Sequence, residues 1–203
     1  MRTKLTNSSI LMIFLLAVFL LPTSILAQQT QDRIIKYNSW RNEPVKITSV
    51  KVNSSLVEFG EIFQAEDDWL RGLTFSVINT SDREICHIDL ALDFPRATSN
   101  EPMTRERLLW NCKTEAESSA KSSKKAKPLK PGESLEIVLS NEFYPKTQEY
   151  LRRTNNPTSI NLLEVSVDEV SFVGDKNSLW ISGQMMRRDP GNPNWLIPIR
   201  EKQ

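Results

Sequence analysis

Residues 70–94 constrain the fold of this chain most, because apolar and polar side chains alternate in two segments of this stretch. The apolar positions of the first segment are Leu73, Phe75 and Val77. Those of the second segment are Cys86, Ile88, Leu90, Leu92 and Phe94, with His87, Asp89 and Asp93 between them. Successive side chains of a β-strand point to opposite faces, so each segment predicts a strand with one apolar face and one solvated face. The polar residues Asn79–Asp82 predict a turn that joins the two strands into a hairpin.

Further alternating segments occur at residues 45–52, 56–65, 133–140, 163–173 and 179–186. The parity of the alternation switches at Thr48–Ser49 and near Asp168–Glu169, which predicts a β-bulge at each place. Only Pro145–Arg153 resembles a helix, since proline suits a first helical turn and Glu149 can pair with Arg153. About seven strands and one short helix, without β–α–β alternation, predict an all-β immunoglobulin-like sandwich that forms a single domain over residues 45–203. The alternative is another small β-architecture, such as a partly open barrel, because periodicity does not give the strand order.

The N-terminal residues have the composition of a secretory signal peptide. Arg2 and Lys4 precede an unbroken apolar run of 12 residues, Ile10–Leu21, and Ala27 is a plausible cleavage residue. The alternative is an uncleaved membrane anchor, but a spanning helix needs about 20 apolar residues. We therefore expect residues 1–27 to be a signal peptide and the mature chain to be secreted or periplasmic, with no later transmembrane segment.

Two stretches lack strand periodicity. Residues 28–44 are polar and predict a flexible N-terminal leader, whereas residues 97–131 predict an irregular insertion in the sandwich. The insertion carries a lysine-rich segment that includes Lys121, Lys124, Lys125 and Lys127. This segment is a candidate contact surface for an anionic polymer or lipid head group. The alternative is a solvated loop without a ligand, which is the commoner role of such Ser/Lys sequences.

The chain contains two cysteines, Cys86 and Cys112. In an exported protein an even number of cysteines usually indicates disulfide bonding, so we predict a bond between these two residues. A catalytic redox pair is the alternative. It is less supported because the chain lacks the Cys-x-x-Cys spacing that lowers a thiol pKa.

The sequence contains no motif that identifies an enzyme, a metal site or a cofactor site. It has one histidine, no zinc-ligand spacing, no Gly-x-Ser-x-Gly elbow and no glycine-rich phosphate loop. Asp67–Asp68 and Asp175 with Asn177 are oxygen-rich, but they do not follow the calcium-loop pattern of an EF-hand. A hydrolase that uses two carboxylates remains the alternative, and its candidates are Glu58, Asp89, Asp93, Glu136 and Asp168. A net charge of +1 argues against nucleic-acid binding.

Binding is the favoured function, and the five tryptophans are its main indication. Exposed tryptophans stack on sugars or anchor protein partners, whereas buried ones fill a core. Trp195 lies among asparagine and proline residues and is the better surface candidate, while Trp180 lies in a predicted strand and is expected in the core. We therefore predict a non-catalytic exported module, without a cofactor, that binds an envelope protein or a glycan.

The segment Ile78–Phe94, INTSDREICHIDLALDF, resembles the immunoglobulin-like sandwich modules of exported bacterial proteins. In those modules a strand ends at an Asn-x-Ser/Thr turn, and a strand of alternating hydrophobic residues follows. Leu179–Trp195, LWISGQMMRRDPGNPNW, is similar to the end of secreted proteins from environmental bacteria. The resemblance implies a sandwich fold and an exported location. It implies no activity, because such modules share no catalytic residues.

Overall fold

A computed structural model of the chain describes residues 30–94, 104–112, 127–153, 160–175 and 177–199. Two β-sheets face each other across an apolar core, which confirms the predicted all-β sandwich. Within the described ranges there are twelve strands, more than the seven predicted, and one helix. The strands are β1 (Gln31–Tyr37), β2 (Val45–Val52), β3 (Ser55–Val57), β4 (Ile62–Ala65), β5 (Thr74–Asn79), β6 (Ile85–Phe94), β7 (Thr104–Asn111), β8 (Ser134–Val138), β9 (Leu162–Phe172), β10 (Ser178–Ile181), β11 (Gln184–Arg188) and β12 (Leu196–Pro198). The helix is α1 (Phe143–Arg153).

Strand β9 organises the larger sheet. Strand β6 pairs with it along one side, and β7 then pairs with β6 at the edge. On its other side β9 pairs with β1 near its beginning and with β10 near its end, and β4, β11 and β12 extend the sheet from these strands. The pair of β1 and β9 is parallel, and the other pairs of this sheet are antiparallel.

The smaller sheet has the strand order β3-β2-β5-β8. Its inner side chains, such as Phe75 and Val77, are fully buried in the same apolar cluster as Leu90 and Leu92 of the larger sheet. Burying these alternate positions supplies the hydrophobic free energy that holds the two layers together. The predicted bulge of β2 is confirmed, because its register with β5 shifts between Ile47 and Ser49.

The predicted hairpin of residues 70–94 is wrong, although both of its strands form. Strand β5 belongs to the smaller sheet and β6 to the larger one, so the chain crosses from one layer to the other between them. Asn79 fixes this corner: its side-chain amide donates to the backbone oxygens of Arg83 (2.7 Å) and Leu129 (2.9 Å). Its carbonyl oxygen accepts hydrogen bonds from the backbone N–H and hydroxyl of Ser81.

Two segments predicted as single strands are each divided in the structure. Residues 56–65 contribute to β3 and β4, which lie in different sheets, with Gly60 at a positive φ of 84° between them. Residues 179–186 form β10 and β11, which pair with each other around Ser182 and Gly183. These two residues have φ angles of 42° and 95°, so they form the tight left-handed turn that a two-residue hairpin requires.

Two segments predicted without regular structure instead contribute strands. Strand β1 lies within the expected flexible leader, residues 28–44, and its Ile35 is fully buried. Strand β7 lies within the expected irregular insertion, residues 97–131, and pairs with β6 over its whole length. The polar composition of both segments concealed their pairing, because a strand that holds charged side chains on one face lacks a long apolar pattern.

The longest predicted strand and the predicted helix are both confirmed. Strand β9 pairs Glu169 with Asp89 and Val167 with Leu90, so Asp168 is the extra residue of the expected bulge. In α1, Arg153 donates to Glu149 over 2.9 Å, as the spacing predicts. In the part of the chain that the structure describes, no helix has both the length and the apolar character to cross a membrane.

Candidate functional site

The predicted disulfide is present and links β6 to the end of β7. The Cα atoms of Cys86 and Cys112 are 4.8 Å apart, and the backbone N–H of Cys112 donates to the carbonyl of Cys86 over 2.8 Å. The hydrogen bond continues the β6–β7 ladder, and the disulfide closes a segment whose ends are 26 residues apart in the sequence. The disulfide therefore joins two adjacent strands of one sheet.

The predicted solvated face of β6 is instead a closed network of charged side chains. Asp89 is fully buried, and Arg107 from β7 forms an ion pair with it. Asp93 is also buried and accepts two hydrogen bonds from the guanidinium of Arg105, over 2.7 and 2.9 Å. The two arginines lie over the carboxylates and remove them from solvent, which periodicity could not reveal.

The bulge of β9 adds further charges to this network. Asp168 lies 3.6 Å from the guanidinium of Arg107 and also accepts a hydrogen bond from the hydroxyl of Ser182 over 2.8 Å. Burial raises the pKa of the Asp89 carboxyl, and Arg107 opposes that shift. His87 lies beside the network, with its Nδ1 2.6 Å from the side-chain oxygen of Asn111.

The five candidate carboxylates for a hydrolase do not form a pair that faces across a cleft. Asp89, Asp93 and Asp168 belong to the charged network and are paired with arginines. Glu136 lies on the smaller sheet, where it pairs with Lys51 at 2.6 Å, and Glu58 is exposed in the turn before β4. The geometry of the described residues therefore favours a structural role for the three network carboxylates over general acid and base catalysis.

The two oxygen-rich loop sites hold arginines. Asp67 pairs with the buried Arg33 at 2.7 Å, and Asp175 pairs with Arg83 at 2.8 Å. The Arg83 ion pair is the main cause that lowers the pKa of Asp175. Among the residues whose positions are described, no three His, Cys, Asp or Glu side chains form a group suited to a metal ion.

The tryptophans divide between core and surface as the sequence predicts for Trp180 and Trp195. Trp180 is 2% exposed and Trp195 is 66% exposed. Of the lysines proposed as surface contacts, Lys127 is described and exposed. The others lie outside the described residues, namely Lys121, Lys124 and Lys125.

Strands β10, β11 and β12 form one side of the larger sheet, which we call the wing. On the face of the wing that continues the core side of the sheet, the side chains become more exposed with distance from β9. Strand pairing places Val170, Trp180 and Met185 side by side on this face, and Met185 accepts a backbone hydrogen bond from Ile199 over 2.8 Å. The exposed fraction rises from 0% at Val170 to 2% at Trp180 and 37% at Ile199. One apolar row therefore begins in the core and ends in solvent.

A second row on the same face of the wing follows β12 and meets the first row at Ile199. Alternation along β12 places Trp195, Ile197 and Ile199 on one side, and Arg187 lies opposite Ile197 in the neighbouring strand. Arg187, Ile197 and Ile199 border a cavity of about 490 Å³ together with Pro198. We call Trp195, Ile197, Ile199 and Arg187 the wing surface.

The root of the wing borders a cleft of about 450 Å³. Its walls come from the turn before β2, from the β5–β6 corner and from the wing, and they include Glu43, Arg83, Trp180 and Met185. The Glu43 carboxylate accepts hydrogen bonds from the hydroxyl of Tyr37 and the backbone N–H of Trp40. Burial raises the pKa of Glu43, and the hydrogen bond from Tyr37 opposes that shift.

The sequence indicated Trp195 but not the rest of the wing surface. Ile197 and Ile199 follow two prolines, which are typical of turns and loops, and their alternation is too short to distinguish a strand. Arg187 gives no sequence signal that it lies opposite Ile197. The alternation of Trp195, Ile197 and Ile199 was the only available pattern. Comparison of the chain with protein-family models, curated proteins and solved structures found no match.

Proposed function

We propose that this chain is an exported, non-catalytic binding module that holds a protein partner on the wing surface. The observation that supports this most is the apolar row that leaves the core at Val170 and Trp180 and becomes exposed at Ile199. Apolar side chains on an inner sheet face usually meet a second layer, so an exposed continuation suits a surface that a partner covers. Trp195, 66% exposed, enlarges that surface.

The composition of the wing surface favours a protein over a glycan. It combines a tryptophan, an arginine and two isoleucines, and tryptophan and arginine are the residue types enriched among the dominant contacts of protein interfaces. Arg187 can pair with a carboxylate of the partner at the side of the apolar contact. A segment with exposed apolar side chains and one acidic residue fits this chemistry.

The proposal includes an envelope location and an immunoglobulin-like strand arrangement. The location is supported by the basic start and apolar run of residues 1–21 and by the disulfide, which suits an oxidising compartment. The arrangement is supported by consecutive strands that cross between two facing sheets, as β5 and β6 do.

The test places a photo-crosslinking amino acid at position 195 and, as a matched control, at position 56. Leu56 is also 66% exposed but lies on the smaller sheet, so it has the same accessibility without belonging to the wing. After illumination with an envelope extract, we expect one protein to be captured from position 195 and not from position 56. Ile197→Glu in the position-195 protein should abolish that capture.

The glycan reading has its own measurement. The mature protein is pelleted with purified cell-wall polymer. If its retention in the pellet depends on Trp195, the ligand of the wing surface is a glycan and not a protein. Equal capture from positions 195 and 56, or no capture together with no pelleting, would contradict a binding role for the wing surface.

A further inference from the structure

The cleft at the root of the wing, which we call the root cleft, lies where three segments of the chain are tied together. Thr80 connects the β5–β6 corner to the turn before β2, because its hydroxyl donates to the carbonyl of Glu43 over 2.8 Å and its N–H to the carbonyl of Pro44 over 2.9 Å. The ring of Trp40 lies against the β10–β11 turn, where a Cβ atom on Gly183 would come within 3.3 Å of it. These contacts fix the walls, so the cleft is formed before any ligand enters.

Part of the lining of the root cleft is apolar and includes Phe172, Trp180 and Met185. Phe172 and Trp180 are buried members of the core, and Met185 lies opposite Trp180 in the neighbouring strand. The volume of about 450 Å³ is within the range of small-molecule sites, which combine an apolar lining with a few polar groups that fix orientation. The root cleft therefore suits a ligand with a short apolar stem and a polar head.

The Glu43 carboxylate in the wall of the root cleft lacks a counter-ion. Glu43 is 7% exposed, and its two oxygens accept hydrogen bonds from neutral donors, the Tyr37 hydroxyl and the Trp40 N–H. No cation in the described part of the chain forms an ion pair with it. Lys46 lowers the pKa of Glu43 through its charge, but Lys46 is exposed and does not line the cleft. Buried carboxylates are usually paired with a cation, because burial disfavours the charged form.

The other charged residues that line the root cleft are Asp82 and Arg83. Asp82 is exposed, and with respect to the described residues its carboxylate forms neither an ion pair nor a hydrogen bond. Arg83 is already paired with Asp175 over 2.8 Å, and its guanidinium is held 4.0 Å from the centre of the Phe172 ring. The charges of the lining that have no opposite charge beside them are therefore both negative, which favours a cationic ligand.

We propose that the root cleft binds a primary alkylammonium group. The ammonium head pairs with Glu43, the exposed carboxylate of Asp82 adds attraction at the surface, and the apolar stem packs against Met185. Two sources share this chemistry, namely a lysine side chain of a partner protein and a free amine. The wing borders the root cleft, so a partner held on the wing surface is within reach of it.

The hydrogen bonds of Glu43 favour an ammonium over a guanidinium. A guanidinium pairs best with a carboxylate through two parallel hydrogen bonds, one to each oxygen. Both oxygens of Glu43 already accept a hydrogen bond, from Tyr37 and from Trp40, and such a pair would compete with these bonds. An ammonium is a compact charge with rotatable donors, so it needs only one of the remaining lone pairs.

The probe is n-pentylammonium, and its controls are 1-pentanol, which is uncharged, and pentanoate, which carries the opposite charge. Binding to the mature protein is measured by nuclear magnetic resonance of the methionine methyl groups. Met185 lines the root cleft, whereas its neighbour Met186 points to the opposite face of β11 and serves as the internal control. We expect a saturable shift at Met185 and not at Met186. The dissociation constant for n-pentylammonium should be at least about tenfold lower than for either control.

Three substitutions that each remove one negative charge test the assignment. Glu43→Gln keeps an oxygen acceptor but loses the charge, so the dissociation constant of n-pentylammonium should rise about tenfold. Asp82→Asn should raise it about threefold, because an exposed charge is screened by solvent. Glu58→Gln, in the exposed turn before β4, is the matched control and should change nothing. Urea unfolding verifies that Glu43→Gln is folded, and Asp82→Asn removes no contact of the folded protein, so it tests the site in either case.

A competition experiment distinguishes the two sources of the ammonium group. Saturating n-pentylammonium is added to the crosslinking experiment at position 195. If capture decreases, the ammonium belongs to a lysine of that partner, and this outcome rests on the proposed function of the wing surface. If capture persists, the ligand of the root cleft is a free amine.

The root cleft and the wing surface can fail separately. A saturable shift at Met185 without any capture at position 195 would support the root cleft and contradict the wing surface. The proposal for the root cleft would be overturned by the absence of a saturable shift at Met185 or by equal affinity for 1-pentanol. Unchanged affinity in both Asp82→Asn and a folded Glu43→Gln variant would also overturn it.

Discussion

Replacing Asn79 by alanine should destabilise the protein strongly, because this side chain holds the corner where the chain crosses between the sheets. Asn79 is 1% exposed. Its amide donates to the carbonyls of Arg83 and Leu129, and its carbonyl oxygen accepts two hydrogen bonds from Ser81. The residue thus connects the corner to the segment that precedes β8.

The four hydrogen bonds set the expected magnitude. A typical intramolecular hydrogen bond contributes about 1 kcal/mol net, so their loss sums to about 4 kcal/mol. The cost is lower than this sum because the two carbonyls keep other donors. Leu129 still accepts from the N–H of Ile85 (3.0 Å), and Arg83 still accepts from the hydroxyl of Ser81 (3.1 Å). We therefore expect Asn79→Ala to lower the free energy of unfolding by about 2–4 kcal/mol.

The assay is urea unfolding followed by tryptophan fluorescence, which is suitable because Trp69 and Trp180 are buried. Asn141→Ala is the matched control: this asparagine is exposed, and its removal should change the unfolding free energy by less than about 0.5 kcal/mol. In a solvated hairpin turn Asn79 would contribute little more than Asn141. A loss below about 1 kcal/mol for Asn79→Ala would therefore refute the reasoning about the corner.

Three further predictions concern the disulfide, the buried carboxyl and the N-terminus. Replacing Cys86 and Cys112 together by alanine should lower the free energy of unfolding by about 2–4 kcal/mol, measured in urea without reductant; an unchanged midpoint would contradict this. Burial raises the pKa of Asp89, so the folded state binds its proton more tightly, and the free energy of unfolding falls as the pH rises through that raised pKa. Asp89→Asn should reduce this fall. Identical dependence of stability on pH in the two proteins would disprove the assignment of the fall to Asp89. Intact mass of the exported protein should correspond to cleavage after Ala27, and a full-length membrane-bound product would oppose this prediction.

Local sequence patterns determined several strands of this protein and some of their details. Alternation of apolar residues located β2, β5, β6 and β9, because a strand buried on one face must repeat its chemistry every second residue. A change in that parity was enough to predict the bulges at Thr48–Ser49 and Asp168–Glu169. The number of cysteines and the apolar N-terminus were enough to predict the bond between Cys86 and Cys112.

Part of the candidate site was also readable from the sequence. Trp195 was identified as a surface residue from its neighbours, since asparagine and proline are unsuited to a buried strand. The rest of the wing surface was not readable, because Arg187 and Ile197 become neighbours only when β11 and β12 pair. Burial of Asp89 was hidden for the same reason: Arg107, which covers it, belongs to a strand concealed by polar composition.

The tertiary structure alone decided which strands pair and which layer each strand joins. Alternation describes the two faces of a strand but says nothing about its edges, where backbone groups of almost any residue can form the same hydrogen bonds. The sequence was therefore consistent with both a β5–β6 hairpin and a corner between the sheets. The buried contacts of Asn79 occur in the corner. The exposed continuation of the core at Ile199 follows from that pairing, since a wing exists only in relation to the assembled sheets.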